Sequence, residues 1–482
     1  FTVTKVADTN DGTCDADCSL REAIAAANAS AANDTIAFSS LFGTSQTITL
    51  SGTDLIITNA GTLTINGPGA DKLTVSGNSV SRVITNDTSA VTTINNLLVT
   101  GGTGVSTITT GRGGGIYNSG GTLTLNNVIV TANSAANGGG LNNASAGTPA
   151  VPGTLTFNNC IVSSNTATGS GGGMQNFSTS TVTINNSLFL GNISNGTTGG
   201  GGGQFNGGVQ ITNSTFANNS APAGSGGGIQ SNGTLGTILT NVTVSGNSSL
   251  NNGGGIHRGT TNVNFFIRNS IVAGNNGTAT SPDFTNSAGG ATSLGNNIIG
   301  NVGTSTGWIA SDLQNTNPML NALGENGGFS LTFLPMAGSP AINAGQNCVL
   351  DLSCAANNPP IAVTTDQRGV ARPANGAVDI GAVEVAAAAA NASVSGRVLS
   401  ASGNAIANVT VTISNMSGVV QTTKTNSFGN YSFSGIPIGQ MYTLNVLAKQ
   451  YSFTPQNINV TGDATGVNIT ATSDPLAEPE SK

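Results

Sequence analysis

Asp366, Arg368, Arg372, Asp379 and Glu384 make the densest cluster of ionisable groups in the chain. Two carboxylates flanking one bond would be the apparatus of glycoside hydrolysis. Carboxylates among arginines can equally build a structural network in which partners offset the cost of burial. Near the start, Asp8, Asn10, Asp11, Asp15 and Asp17 crowd oxygen ligands into one loop, a composition suited to Ca²⁺, a hard cation. Their spacing is not that of an EF-hand, and a solvated loop is the alternative. The single histidine, His257, stands with Arg258 after Gly255-Ile256. A general base needs an orienting partner; without one in sequence, both residues are expected to be solvated in a turn.

Between residues 88 and 282 there is no Asp or Glu. Neither paired-carboxylate hydrolysis nor a base assisted by acidic calcium ligands has its parts there. Asp54, Asp71 and Asp87 could form a patch, but their spacings miss the repeat described below. No catalytic site is expected.

Cys14 with Cys18, and Cys348 with Cys354, are spaced for two local disulfides, which would imply an oxidising, extracellular compartment. Four zinc thiolates are the competing reading, although neither pair has the C-x-x-C spacing. Net charge is −7 and the 13 basic residues form no run, so nucleic acid is an unexpected partner. No apolar run approaches the roughly 18 residues of a membrane span. The chain begins at Phe1 without an initiator Met, from which removal of a signal peptide is expected.

These residues must be positioned by a repeat. Asn127, Asn159, Asn186, Asn213, Asn241 and Asn269 recur at intervals of 32, 27, 27, 28 and 28 residues, a solenoid's signature. Six residues after each stands a second asparagine: Asn133, Asn165, Asn192, Asn219, Asn247 and Asn275. Alternation around the first ladder buries Leu125, Phe157, Ile184, Ile211, Leu239 and Ile267. The outward column runs Thr124, Thr156, Thr183, Gln210, Ile238, Phe266, and is expected to be covered towards its C-terminal end. Cys160 shares a column with Val128, Ser187, Ser214, Val242 and Ser270, the place of a buried, inert thiol.

Short strands, asparagine bends and Gly-rich connections predict an all-β chain: a right-handed parallel β-helix of about ten rungs. Weaker rungs are read around Asn66, Asn96 and Asn296. Ser19 and Glu22 form a capping box before a short N-terminal capping helix. The domain reading is an N-terminal cap at 1–60, repeats at 61–305, a C-terminal cap at 306–385, an Ala linker at 386–390, a small β-sandwich at 391–473 and a tail at 474–482.

The stretch CSLREAI at 18–24 resembles the signature of CSLREA-domain surface proteins of bacteria. GSPAINAG at 338–345 and TDQRGVARPANGAVDIGAVE at 365–384 are similar to the closing segment of that group, the choice-of-anchor proteins. The repeats, with GGG-I and N-x-x-V-x-x-N elements, are similar to polymorphic outer-membrane-protein repeats. The resemblance implies a secreted or surface-displayed β-helix with no general catalytic activity. Asp366, Arg368, Arg372, Asp379 and Glu384 fall in its closing motif, and are read as the network seating the C-terminal cap. No sorting motif or hydrophobic tail follows, which leaves the anchor open. Residues after the Ala run look like a carboxypeptidase-regulatory-like, transthyretin-type domain.

The leading expectation is a non-catalytic surface protein, an adhesive stalk or a subunit of a fibre or sheath. Self-association would run head to tail, with FTVTK or the tail SDPLAEPESK docking on a neighbour by strand addition. The alternative is a carbohydrate-binding adhesin. Against it, Phe157, Phe189 and Phe216 are read as inward and Trp308 is the only tryptophan. Ice binding by the outward Thr-x-Thr grid at Thr122, Thr124, Thr154, Thr156, Thr181 and Thr183 breaks at Gln210. A polysaccharide-degrading β-helix enzyme comes last. The N-x-S/T sequons could carry glycans.

Overall fold

A computed structural model describes residues 1–473 except 234, 260–263, 278–281, 288–289, 355–358, 375, 386–390, 416–417, 438–439 and 461. The expected Ala linker at 386–390 and tail at 474–482 lie outside the described residues. The chain divides into two units, Phe1–Val385 and Ala386–Lys482.

The first unit winds through three long parallel sheets. One has eleven strands, from Thr2–Val3 and Asp34–Phe38 through Thr122–Asn126 to Thr292–Gly295. The second also has eleven, from Gln46–Thr49 through Ile129–Thr131 to Leu313–Gln314. The third has nine, from Leu55–Ile57 through Leu141–Ala144 to Phe284–Asn286. One strand from each makes a turn, giving a parallel β-helix of nine complete turns among the described residues, then a partial tenth.

Alternation selects the buried face. Leu125, Phe157, Ile184, Ile211, Leu239 and Ile267 stand in register, each no more than 1% exposed. Phe189 and Phe216 stack with ring centroids 4.6 Å apart, and Phe157 meets Phe189 edge-on at 5.8 Å.

Two left-handed corners bend each repeat. Asn96, Asn127, Asn159, Asn186, Asn213, Asn241, Asn269 and Asn296 all have φ between 47° and 59°, a region that asparagine tolerates. A second corner, unread in the sequence, falls five residues later at Gly101, Ala132, Ser164, Gly191, Asn218, Gly246 and Gly274, all with positive φ. The rung read around Asn66 is the strand Thr62–Asn66, where Asn66 pairs with Asn95 and Gly67 follows without a left-handed φ. The GGG runs answer to stacking, since a Cβ on Gly139 would lie 2.4 Å from the Thr166 carbonyl oxygen, and one on Gly140 2.6 Å from that of Gly173.

At the N-terminal end Leu20–Asn28 is helical, with the Ser19–Glu22 capping box formed. The Asn28 amide donates to Ile56 O at 2.8 Å and Thr58 N–H donates back to Asn28 Oδ1 at 2.8 Å, which pairs the open edge of the third sheet. Thr2–Val3 pairs in cis with Ala37 and Phe38, so the segment expected to dock on a neighbour is held by its own chain. At the other end Trp308 packs edge-on against Phe284, centroids 5.1 Å apart.

In the second unit a three-stranded sheet and a four-stranded sheet enclose Val394, Val411, Ile413, Phe433, Tyr442 and Leu444. This is the small β-sandwich.

Candidate functional site

The second asparagine ladder is buried and continuous. Each Nδ2 donates to Oδ1 of the next turn's asparagine, from Asn133 to Asn165 at 3.0 Å, then to Asn192, Asn219, Asn247 and Asn275 at 2.8 to 2.9 Å. The same oxygen accepts the backbone N–H of the donor residue, and the other amide hydrogen reaches a carbonyl of the preceding turn, as from Asn219 to Phe189 O at 2.9 Å. Polar groups inside a low-dielectric wall are thereby satisfied without charge.

A third ladder, Asn86 to Asn118 to Asn143 to Asn176 at 2.7 to 2.8 Å, is equally buried. Sequence reasoning missed it, although three of these residues stand third after a GGG run.

The first ladder changes partners along its length. Asn127 donates to Asn96 and Asn159 to Asn127, at 3.0 and 2.8 Å. From Asn213 onward the amides turn to the 338–384 segment: Asn213 to Thr365 O, Asn241 to Asp379 O, Asn269 to Gln346 O, Asn296 to Ala344 O, at 2.6 to 3.1 Å. Thr215 Oγ1 donates to Gln367 Oε1 at 2.6 Å, and Ala382 N–H to Thr243 Oγ1 at 3.0 Å. The closing segment therefore clasps the side of four turns as well as following the stack.

The cluster Asp366, Arg368, Arg372, Asp379 and Glu384 lies in this clasp. Arg372 Nη1 donates to Glu384 Oε2 at 2.8 Å and Arg368 Nη2 to Asp366 Oδ2 at 2.7 Å. Backbone N–H groups fill the remaining carboxylate valences: Glu384 N–H to Asp366, Asp379 N–H to Glu384, Asn343 N–H to Asp379. Burial pushes Asp379 up and Arg372 down from their ordinary values. The carboxylates accept hydrogen bonds from their own chain.

The acidic N-terminal loop is dispersed. Arg21 donates to both oxygens of Asp8 at 2.8 Å, and Ser51 N–H adds a third bond to it. Asp17 pairs with Lys5 at 2.9 Å, Asp15 accepts from Asp17 N–H, and Asp11 accepts from Thr13 N–H. Asn10 lines a shallow hollow with Arg21 and Asp54. Among the described residues no group of three or more His, Cys, Asp or Glu is placed to hold a metal. Disulfides join Cys14 to Cys18 and Cys348 to Cys354.

His257 and Arg258 occupy strand Ile256–Arg258 and are 8% and 5% exposed, where a solvated turn was expected. Register carries His257 onto Gln230 and, beyond it, Gln204, Gln175 and Asn142. His257 Nδ1 shares a hydrogen bond with Gln230 Oε1 at 2.8 Å and Nε2 one with Ser287 Oγ at 2.6 Å. Burial lowers its pKa to about 4, so the ring is neutral at ordinary pH. It terminates an amide column: Nε2 meets the Ser287 hydroxyl, and Nδ1 is held by the neutral Gln230 amide where a triad would place a carboxylate.

Two further features escaped the sequence. Arg82, wholly buried, lies 3.5 Å from Asp54 Oδ2 and donates to Thr85 Oγ1 and to the carbonyls of Thr109 and Arg112; burial lowers its pKa to about 10. The other is a cavity of about 630 Å³ on the outer face of the first sheet, lined by Thr181, Thr183, Gln210, Leu235, Ile238 and Phe266 among others. Ile238 and Phe266 are half-buried in its wall rather than covered. Cys160 is a free, fully buried thiol with its pKa pushed up to about 12 by desolvation.

Residues 393–472 match the carboxypeptidase regulatory-like domain family. The match falls within the second unit. No curated protein matches the chain.

Proposed function

We propose that the chain is a non-catalytic extracellular scaffold, a laterally clasped β-helix joined to a carboxypeptidase-regulatory-like domain. The observation that carries it is the use made of the ionisable groups. Asp54, Asp283, Asp366, Asp379 and Glu384 are buried against arginine, asparagine or backbone N–H partners, and the repeat wall is built from neutral amides. Two disulfides in short loops suit an oxidising compartment, and among the described residues no helix is long and apolar enough to cross a membrane.

Of the two finer readings, a stalk is favoured over a fibre stacked end to end. The N-terminal edge of the third sheet is met by Asn28, and Trp308 packs on the last strand of that sheet. Strand addition at the two ends of the third sheet therefore has little free edge to use.

The test is turnover. Purified chain incubated with neutral and acidic polysaccharides, assayed for reducing ends and for the ultraviolet absorbance of unsaturated uronates, should release neither. Turnover that tracks the protein through purification overturns the reading.

A further inference from the structure

The outer face of the first sheet is not uniform. Its outermost column reads Thr122, Thr154, Thr181, then Gly208, Gly236 and Asn264; the next reads Thr124, Thr156, Thr183, Gln210, Ile238, Phe266. Where threonines give way to glycines the wall loses a layer of side chains, and the 630 Å³ depression opens there. Phe266 and Ile238 line one part of it, Leu235, which is 55% exposed, another, and Thr181, Thr183 and Gln210 the polar remainder. Three turn spacings separate Thr181 from Asn264, a length of about 14 Å.

We propose that this depression binds a neutral hexopyranose chain. Charge points to a neutral ligand: the lining contains no ionisable residue, and none of the chain's acids falls between residues 88 and 282. The mixture of surfaces points to a sugar, whose apolar C–H face packs on an aromatic ring while its hydroxyls meet amide and hydroxyl side chains. A peptide strand fits less well, because the sheet's backbone groups are spent in parallel pairing with the turns on either side and none is left for an added strand. The half-exposed threonines of the earlier turns prolong the polar strip towards the N-terminus, so a polymer can run on beyond the depression. The inward phenylalanines that argued against sugar binding are irrelevant to it, since the aromatic ring concerned is Phe266. The inference goes beyond the scaffold reading, whose turnover test is independent of the binding measured here.

Two variants test it. A Cβ on Gly208 would meet Leu235 Cβ at 3.4 Å and Thr181 Cγ2 at 3.5 Å, ordinary contacts, so Gly208→Thr refills the column without displacing the backbone. Phe266→Ala removes the ring. The full chain is titrated calorimetrically with cellohexaose, maltohexaose and mannohexaose, with polygalacturonate as the charged counterpart; circular dichroism and melting confirm that both variants fold. The expected result is binding of at least one neutral hexaose, weakened about tenfold or more in each variant. No binding by any neutral hexaose, binding that survives either substitution, or preference for polygalacturonate overturns the proposal.

Discussion

Asn275 Nδ2 and the Asn275 backbone N–H both donate to Asp283 Oδ1 at 2.9 Å. A carboxylate thus ends the ladder in the place that an asparagine holds in each earlier turn. Burial, the largest influence, raises the Asp283 pKa above its ordinary value despite those donors. A folded-state pKa above the unfolded one means a contribution complete below the unfolded value and declining as pH rises through the folded value. Asp283→Ala should cost about 2 kcal/mol by stranding two buried donors. In urea unfolding the deficit should shrink as pH is raised from about 4; a deficit that grows contradicts this.

The two ladders should respond differently to truncation. Asn219→Ala orphans the Asn192 backbone N–H and amide, and should cost about 3 kcal/mol. Asn159→Ala loses one half-exposed amide bond and places alanine at φ 59°, a cost of about 1 to 2 kcal/mol that Asn159→Gly largely avoids. Equal losses in chemical denaturation would contradict the assignment of one ladder to the buried wall and the other to the corner.

Arg372→Met leaves Glu384 buried without its cation. The loss should be about 3 kcal/mol, and it should be local. Hydrogen exchange should quicken in 338–384 and at Asn241, while Asn133 to Asn192 keep their protection. Uniform quickening would mean that the segment is part of the stack rather than a clasp upon it.

His257 carries a pH signature. Its folded pKa, about 4, lies below the ordinary value of 6.5. Its contribution is therefore complete above 6.5 and lost as pH falls towards 4, amounting to about 3 kcal/mol over that interval. His257→Gln, which extends the Gln175, Gln204, Gln230 column, should flatten this part of the stability profile. Urea midpoints at pH 7 and pH 4 decide it, and an unaltered acid loss would contradict the burial of the ring.

What the sequence made legible was periodic or local. The interval of 27 to 32 residues, Ser19 with Glu22, and the two cysteine pairs could be read because their partners are a fixed step or a few residues apart. The clasp could not, since Asn213 and Thr365 are separated by 152 residues and no periodicity links them. Arg82 and Asp54 lie about one repeat apart, so their pairing carries the same period as the ladders. His257 was misread because a three-residue strand behind a GGG run has too few residues to show alternation.

Immunogold electron microscopy of intact cells of the native host, with an antibody raised against residues 1–385, tests the scaffold account most directly. Gold on the outer surface of unpermeabilised cells is the predicted result. Labelling that appears only after permeabilisation would contradict an extracellular scaffold.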